Sequence, residues 1–173
     1  MWFFKSKNKK APKSFDEALS SSENQAKELT VKNYHVAGTS FRLADIMVFA
    51  VDNPDYSESK KQLIEDGIIN ERIYQYEFYP IKTELIPEPD NPMDSNAVKV
   101  VVDSVHIGYI KSGSCQHVLK LLNDNRIEKI VCIISGGKYK YIDCREDDDG
   151  DEHYELIKDD VPFYAQLEIT ERK

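Results

Sequence analysis

Three prolines and four Asp or Asn residues fall within Pro87–Asn96, and they decide what the middle of this chain can become. Pro87, Pro89 and Pro92 each fix φ and drive the preceding residue out of the helical region, so no helix crosses this stretch. Asp90, Asn91, Asp94 and Asn96 readily bond backbone groups close by in sequence, as Asx turns. A loop this stiff holds several side-chain oxygens in set directions just before Ala97–Val102 opens as a strand. Two uses follow: turning the corner of a β-structure, or preorganising a binding site. A calcium loop fits poorly, because no glycine stands at a sharp turn and the acids lack the required spacing.

The flanks read as β-structure. Val31 to Val36, with Tyr34 and Val36 as its apolar positions, forms a strand that ends in a turn at Gly38-Thr39. Leu43 to Val51 is apolar enough for either helix or buried strand, and its periodicity does not separate the two. Glu58–Glu65 reads as a short helix closed by Gly67. Ala97–Val102 and Val105–Ile110 make a hairpin around Asp103-Ser104. Ser112–Asn123 is the clearest helix, with Val118, Leu119, Leu121 and Leu122 on its apolar face and Ser112 or Ser114 as its cap. Ile127–Ile134 and Tyr139–Ile142 suggest a second hairpin turning at Gly136-Gly137, and Pro162–Ile169 alternates as a final strand. Ser14 and Glu17 fit a capping box for a helix over about 15–28. Many short strands and one good helix predict a mainly β domain.

Charge narrows the function classes. The 173 residues carry 23 Lys+Arg and 31 Asp+Glu, a net charge of −8. Residues 1–13 hold five lysines and no acid, whereas residues 143–160 hold ten acids against Arg145 and Lys158. The acidic balance argues against a broad phosphate-coating surface but leaves room for a local phosphate or strand-end site. No apolar run approaches the ~20 residues of a membrane span. Cys115, Cys132 and Cys144 form no CxxC and read as reduced thiols of a cytoplasmic protein. Residues 1–30 are expected to be a basic, flexible tail with the short helix, and 31–173 a single domain with an acidic loop near 143–160.

The segment Glu84–Lys111 closely resembles the HIRAN domain family, in a stand-alone form of bacterial type. The family pattern runs Glu-Pro-x-Asn-Pro-aromatic-Asp-x-Asn-Ala-hydrophobic, then a strand, then Gly-aromatic/polar-hydrophobic. It is met here by Glu88, Pro89, Asn91, Pro92, Asp94, Asn96, Ala97 and Val98, then Gly108, Tyr109 and Ile110. Val36–Phe41 is similar to the family's opening strand and turn, and the resemblance covers roughly 31–135 with a terminal strand near 163–169. It implies a small OB-like β-barrel with one or two packed helices. In the eukaryotic DNA-repair translocases that carry the domain, it implies binding of single-stranded DNA at a free 3′ end. By position, Phe41 would stack a base and Asp94 would meet the terminal hydroxyl. Lys111 would contact phosphate, Asn91 and Asn96 would shape the loop, and Arg42, Asp90 and Tyr109 would complete the nucleic-acid-binding set. The chain departs from the pattern at Met93, where an aromatic is usual, and residues 50–80 look like an insertion.

Other constellations read as structural. Tyr74, Tyr76, Phe78 and Tyr79 could stack bases, but alternate strand residues face opposite sides, so core packing is the simpler use. Cys115 and His117 are the one close metal-ligand pair, with no second pair at a structural-zinc spacing. Gly136-Gly137-Lys138 lacks the upstream glycine of a P-loop, and no catalytic triad is legible. The acidic run Asp147–Glu152 reads as a solvated loop, and the lysine-rich tail as a segment able to touch phosphate or an anionic surface. The expectation is a non-enzymatic module with no cofactor and no metal, recognising single-stranded DNA or a DNA end. A protein-interaction or structural domain is the competing class, and an accessory to a DNA-processing hydrolase a distant third.

Overall fold

The computed structural model describes residues 28–173, so the basic tail and the helix expected over 15–28 lie outside the described residues. The first strand, β1 (Leu29–Ala37), turns Tyr34 and Val36 into the core and stops at Gly38, whose left-handed φ of 83° reverses the chain. The ambiguous apolar run resolves into helical turns: 3-10 Thr39–Arg42, α1 (Leu43–Ile46) and 3-10 Met47–Phe49, with β2 (Ala50–Asp52) following. Only Ile46 of this run is fully buried, so it lies on the surface of the sheet and not within it.

After a 3-10 turn at Pro54–Ser57, α2 (Lys60–Glu65) starts at a capping box. Gln62 N donates to Ser59 Oγ at 3.3 Å, and Ser59 N donates to Gln62 Oε1 at 3.0 Å. Short strands β3 (Ile73–Tyr74) and β4 (Tyr76–Phe78) lead to β5 (Thr83–Pro87). The predicted hairpin is present as β6 (Val98–Val102) and β7 (Val105–Ile110), with Asp103 and Ser104 both at positive φ. α3 (Ser112–Asn123) buries Cys115, Val118 and Leu121. Its N-cap is Lys111, with no side-chain cap, so neither Ser112 nor Ser114 plays that part.

The last two strands overturn two expectations. β8 (Ile127–Glu146) passes through Gly136-Gly137 without turning, and β9 (Glu152–Arg172) pairs with it along most of its length. The glycines mark a bulge where Phe163 crosses: a Cβ on Gly137 would lie 2.5 Å from Phe163 Cζ, and one on Gly136 2.6 Å from Phe163 Cα. The real reversal is at Asp147–Gly150. Asp147 Oδ1 accepts from Asp149 N and Asp151 N, each at 3.0 Å, and Gly150 takes φ 85°. The acidic segment expected as a loop over 143–160 is therefore a hairpin tip and the strand ends beside it.

The molecule is mainly β, but the expected barrel does not close. The large sheet runs β3-β8-β9-β1-β7-β6-β5 and ends in two edges, while β2 and β4 form a separate pair. β5 comes against β8 through side chains, Leu85 sharing a core with Cys132 and Ile134, yet no ladder joins them. β3 instead takes an outer-edge position on β8, at Tyr139 and Lys140. The main core lies between the curled sheet and α3. Leu63, Ile73 and Ile142 form a second core where the segment expected as an insertion packs on the β8–β9 arm. Lys140, 2% exposed, ties the same region together by donating to the Glu58 carbonyl.

Candidate nucleic-acid interface

The proline-rich loop is organised by Glu88. Its Oε2 accepts from Asn91 Nδ2 at 3.1 Å and from Tyr109 OH at 2.9 Å, and its Oε1 pairs with Lys99 Nζ. Lys99 first, then Asn91 and Tyr109, hold the carboxyl far below its usual value, at about 2. Asn91 Oδ1 in turn accepts from Met93 N at 3.0 Å and Asp94 N at 3.3 Å, and Asp94 Oδ1 accepts from Asn96 N at 2.8 Å. Backbone bonds from Ala97 N to Asp94 O and from Glu88 N to Ala97 O, both 2.9 Å, close the loop onto β6. Asn91 thus spends its side-chain amide on building the turn, and Asp94 one carboxylate oxygen.

A bulge aims the neighbouring side chains. Val100 pairs with Gly108 and Val101 with His106, which leaves Ile107 as an extra residue on β7. Residues three apart on a regular strand face opposite sides. Across this bulge His106 and Tyr109 meet edge to face, with ring centroids 4.8 Å apart. Tyr109 is flanked by Lys99 across one ladder and Ala37 across the other. A Cβ on Gly108 would come 2.4 Å from the Ala37 carbonyl oxygen, so the missing side chain lets β1 and the turn after it pack close.

That turn carries Phe41 and Arg42. Phe41 N bonds the Gly38 carbonyl at 3.1 Å, while its ring is 91% exposed. Arg42 lies 3.7 Å from Asp45, and its charge reaches the Tyr109 group. Burial and then Arg42 lower the His106 pKa, which keeps that ring neutral near pH 7. Met93 is also 91% exposed at the loop's tip, and Asp90 is exposed beside it. A shallow pocket of about 490 Å³ lies among Glu88, Asp90, Asn91, Tyr109 and the prolines.

The sequence-predicted residues therefore fall into two groups. Asn91 and Tyr109 converge on Glu88 and Lys99, while Arg42, paired with Asp45, acts on Tyr109 through its charge, with Phe41 next to it in sequence. Asp94 and Asn96 sit farther along the loop, and the charge of Asp94 is felt by Cys115 in the first turn of α3, the helix that Lys111 opens. The Lys111 backbone N bonds His35 O at 3.0 Å and its side chain is exposed. Sequence reasoning assigned no role to Glu88, Lys99 or His106. The register signal was present for Lys99, which stands across from Tyr109, but His106 depends on a bulge that no local pattern announces.

Cys115 and His117 do not form a joint site. The Cys115 thiol donates to the Ile110 carbonyl at 3.3 Å, whereas His117 lies 3.5 Å from Glu171 and stacks on Tyr34. Among the described residues no cluster of three or more His, Cys, Asp or Glu is arranged to hold a metal. No helix among them is long and apolar enough to cross a membrane.

Comparison with curated proteins and with solved structures finds no match. A family model does match: that of the HIRAN domain, over residues 74–145. The matched span holds the Glu88-centred loop, the bulged hairpin, α3 and most of β8, and leaves the Phe41-Arg42 turn and β9 outside it. The proline-rich loop and the Gly108-Tyr109-Ile110 strand both lie inside the match, so residues 74–145 are similar to the HIRAN domain.

Proposed function

We propose that this chain is a non-enzymatic nucleic-acid-binding module that takes a single DNA strand by its 3′ end. The HIRAN domain is a nucleic-acid-binding family. The observation that carries the reading is Phe41: a ring 91% exposed, next to Arg42, on a turn anchored against the Glu88–Tyr109–Lys99 group. An exposed aromatic gains little for the folded state but offers a face to a base, worth ~1–3 kcal/mol per base by alanine substitution. Arg42 and Lys111 supply phosphate contacts, with Lys99 behind them. Asp94 uses Oδ1 on Asn96 N, and its second oxygen is the acceptor for a terminal hydroxyl. Met93 in place of an aromatic leaves Phe41 as the main stacking platform.

Fluorescence anisotropy with labelled single strands, carrying a free or a blocked 3′ hydroxyl, tests this. Non-specific affinities already reach ~10⁻⁴ M, so absence of binding at about 100 μM and low salt removes the nucleic-acid reading. Phe41→Ala should weaken binding by about five- to a hundredfold while leaving the melting temperature unchanged. Equal affinity for both 3′ ends, or an Asp94→Asn variant that still distinguishes them, removes the role of Asp94 and keeps the rest. With about three phosphate contacts, log K should fall with log salt at a slope near −2. A slope near zero would transfer the exposed Phe41 and Met93 to a protein partner.

A further inference from the structure

The sequence suggests core packing for Tyr74, Tyr76, Phe78 and Tyr79 on one strand. Instead the ladder breaks at Gln75. β3 pairs with β8, Tyr74 standing across from Tyr139, while β4 pairs with β2, Tyr76 standing across from Asp52. Gln75 bridges the two sheets, its N donating to Lys138 O at 2.8 Å and its O accepting from Asn53 N at 3.0 Å. Only Phe78 goes to the main core, meeting Phe163 edge to face at 6.0 Å. The corner gathers Tyr74, Tyr76 and Tyr79 with Asn53, Arg72 and Glu77 around one shallow cleft of about 310 Å³. Tyr79 is 65% exposed.

The chemistry of this cleft is specific. Its walls are flat rings that carry hydroxyls, and Asn53 adds an amide at the rim. Its one lining cation is already engaged, the Arg72 guanidinium lying 4.6 Å from the Tyr139 ring centroid. One acid lines it and a second stands close by: Glu77 accepts from Tyr79 OH, and Asp159 accepts at 3.2 Å from the hydroxyl of Tyr139, the residue across from Tyr74. Stacked bases would bring phosphates into this field, which opposes them. A polyproline II segment fits better: its rings lie flat on aromatic side chains, its carbonyls are free to accept from the Tyr76 hydroxyl, which itself accepts from Gln75 Nε2 at 3.3 Å, and little entropy is lost on binding. Flanking arginine or lysine would meet Glu77 and Asp159.

The geometry points to a second binding surface here, separate from the Phe41 interface: a docking cleft for a proline-rich peptide with basic flanks. The test is an array of decapeptides built on x-Pro-x-x-Pro with an arginine or lysine at either end, followed by anisotropy titration of the best binders against the full chain. Tyr76→Ala and Tyr79→Ala should each weaken binding at least about fivefold, the range of an aromatic contact residue. Tyr76→Phe keeps the ring and distinguishes a lost platform from a disturbed fold. Glu77→Gln should erase the preference for basic flanks. The proposal is overturned if no peptide binds below about 1 mM. It is equally overturned if Tyr79→Ala, at so exposed a position, binds like the unmodified protein, or if single-stranded DNA displaces the peptide. Loss of DNA binding in Phe41→Ala alone bears on the other surface.

Discussion

Glu88 joins three residues from three elements: Asn91 in its own loop, Lys99 on β6 and Tyr109 on β7. Its carboxyl titrates at about 2 in the folded chain, against an ordinary value of 4.5. A depressed acid contributes stability that is complete above the unfolded value and is lost as pH falls toward the folded one. Urea unfolding followed from pH 7 downward should therefore show a decline between about 4.5 and 2, and Glu88→Gln should make that decline shallower. An unchanged slope in the variant means that other carboxylates carry the acid sensitivity. At neutral pH the same variant leaves Lys99 unpaired beside Arg42, so the loop should loosen at Asn91 before the sheet does.

At the scale of elements, the legible parts are those whose cause is local. α3 is legible in its extent, though not in its cap, because Val118 and Leu121 recur at helical spacing, and the β6–β7 hairpin because Asp103-Ser104 suits a tight turn. The motif loop was readable because proline and Asx chemistry acts over a few residues. What stayed hidden depends on residues far apart. Gly136-Gly137 has every local mark of a hairpin turn, and only the passage of Phe163 explains why the strand runs on. Gly137→Ala should lower stability by about 1–3 kcal/mol, since the new methyl meets a ring and a left-handed backbone at once. Thermal unfolding measures it, and shortening the ring with Phe163→Leu should recover part of the loss. Full stability in Gly137→Ala would mean that the arm bends elsewhere. The convergence of Phe41 and Arg42 on the motif is equally non-local, since it rests on the pairing of Ala37 with Tyr109.

The whole molecule has two cores of unequal size, one under the curled sheet and one where α2 and β3 pack on the β8–β9 arm. Leu63 is fully buried in the smaller core. Leu63→Ala should cost about 2–5 kcal/mol locally, with faster amide exchange at Ile142 and Leu156 and unchanged protection across β1 and β7. Uniformly faster exchange would show that the arm and the body unfold as one unit. The central strand β1 has its own dependence: it pairs with β9 from Leu29↔Arg172 to Val36↔Ala165, but with β7 only through Val36 and Ala37. During synthesis the first described strand therefore waits for the last. The β5–β6–β7 meander and α3 can form on emergence, while the middle of the sheet must close late around an already folded neighbour. Order of synthesis and order of assembly run in opposite directions at β1, whose ladder from Leu29 to Val36 has no partner until Ala165–Arg172 has been made.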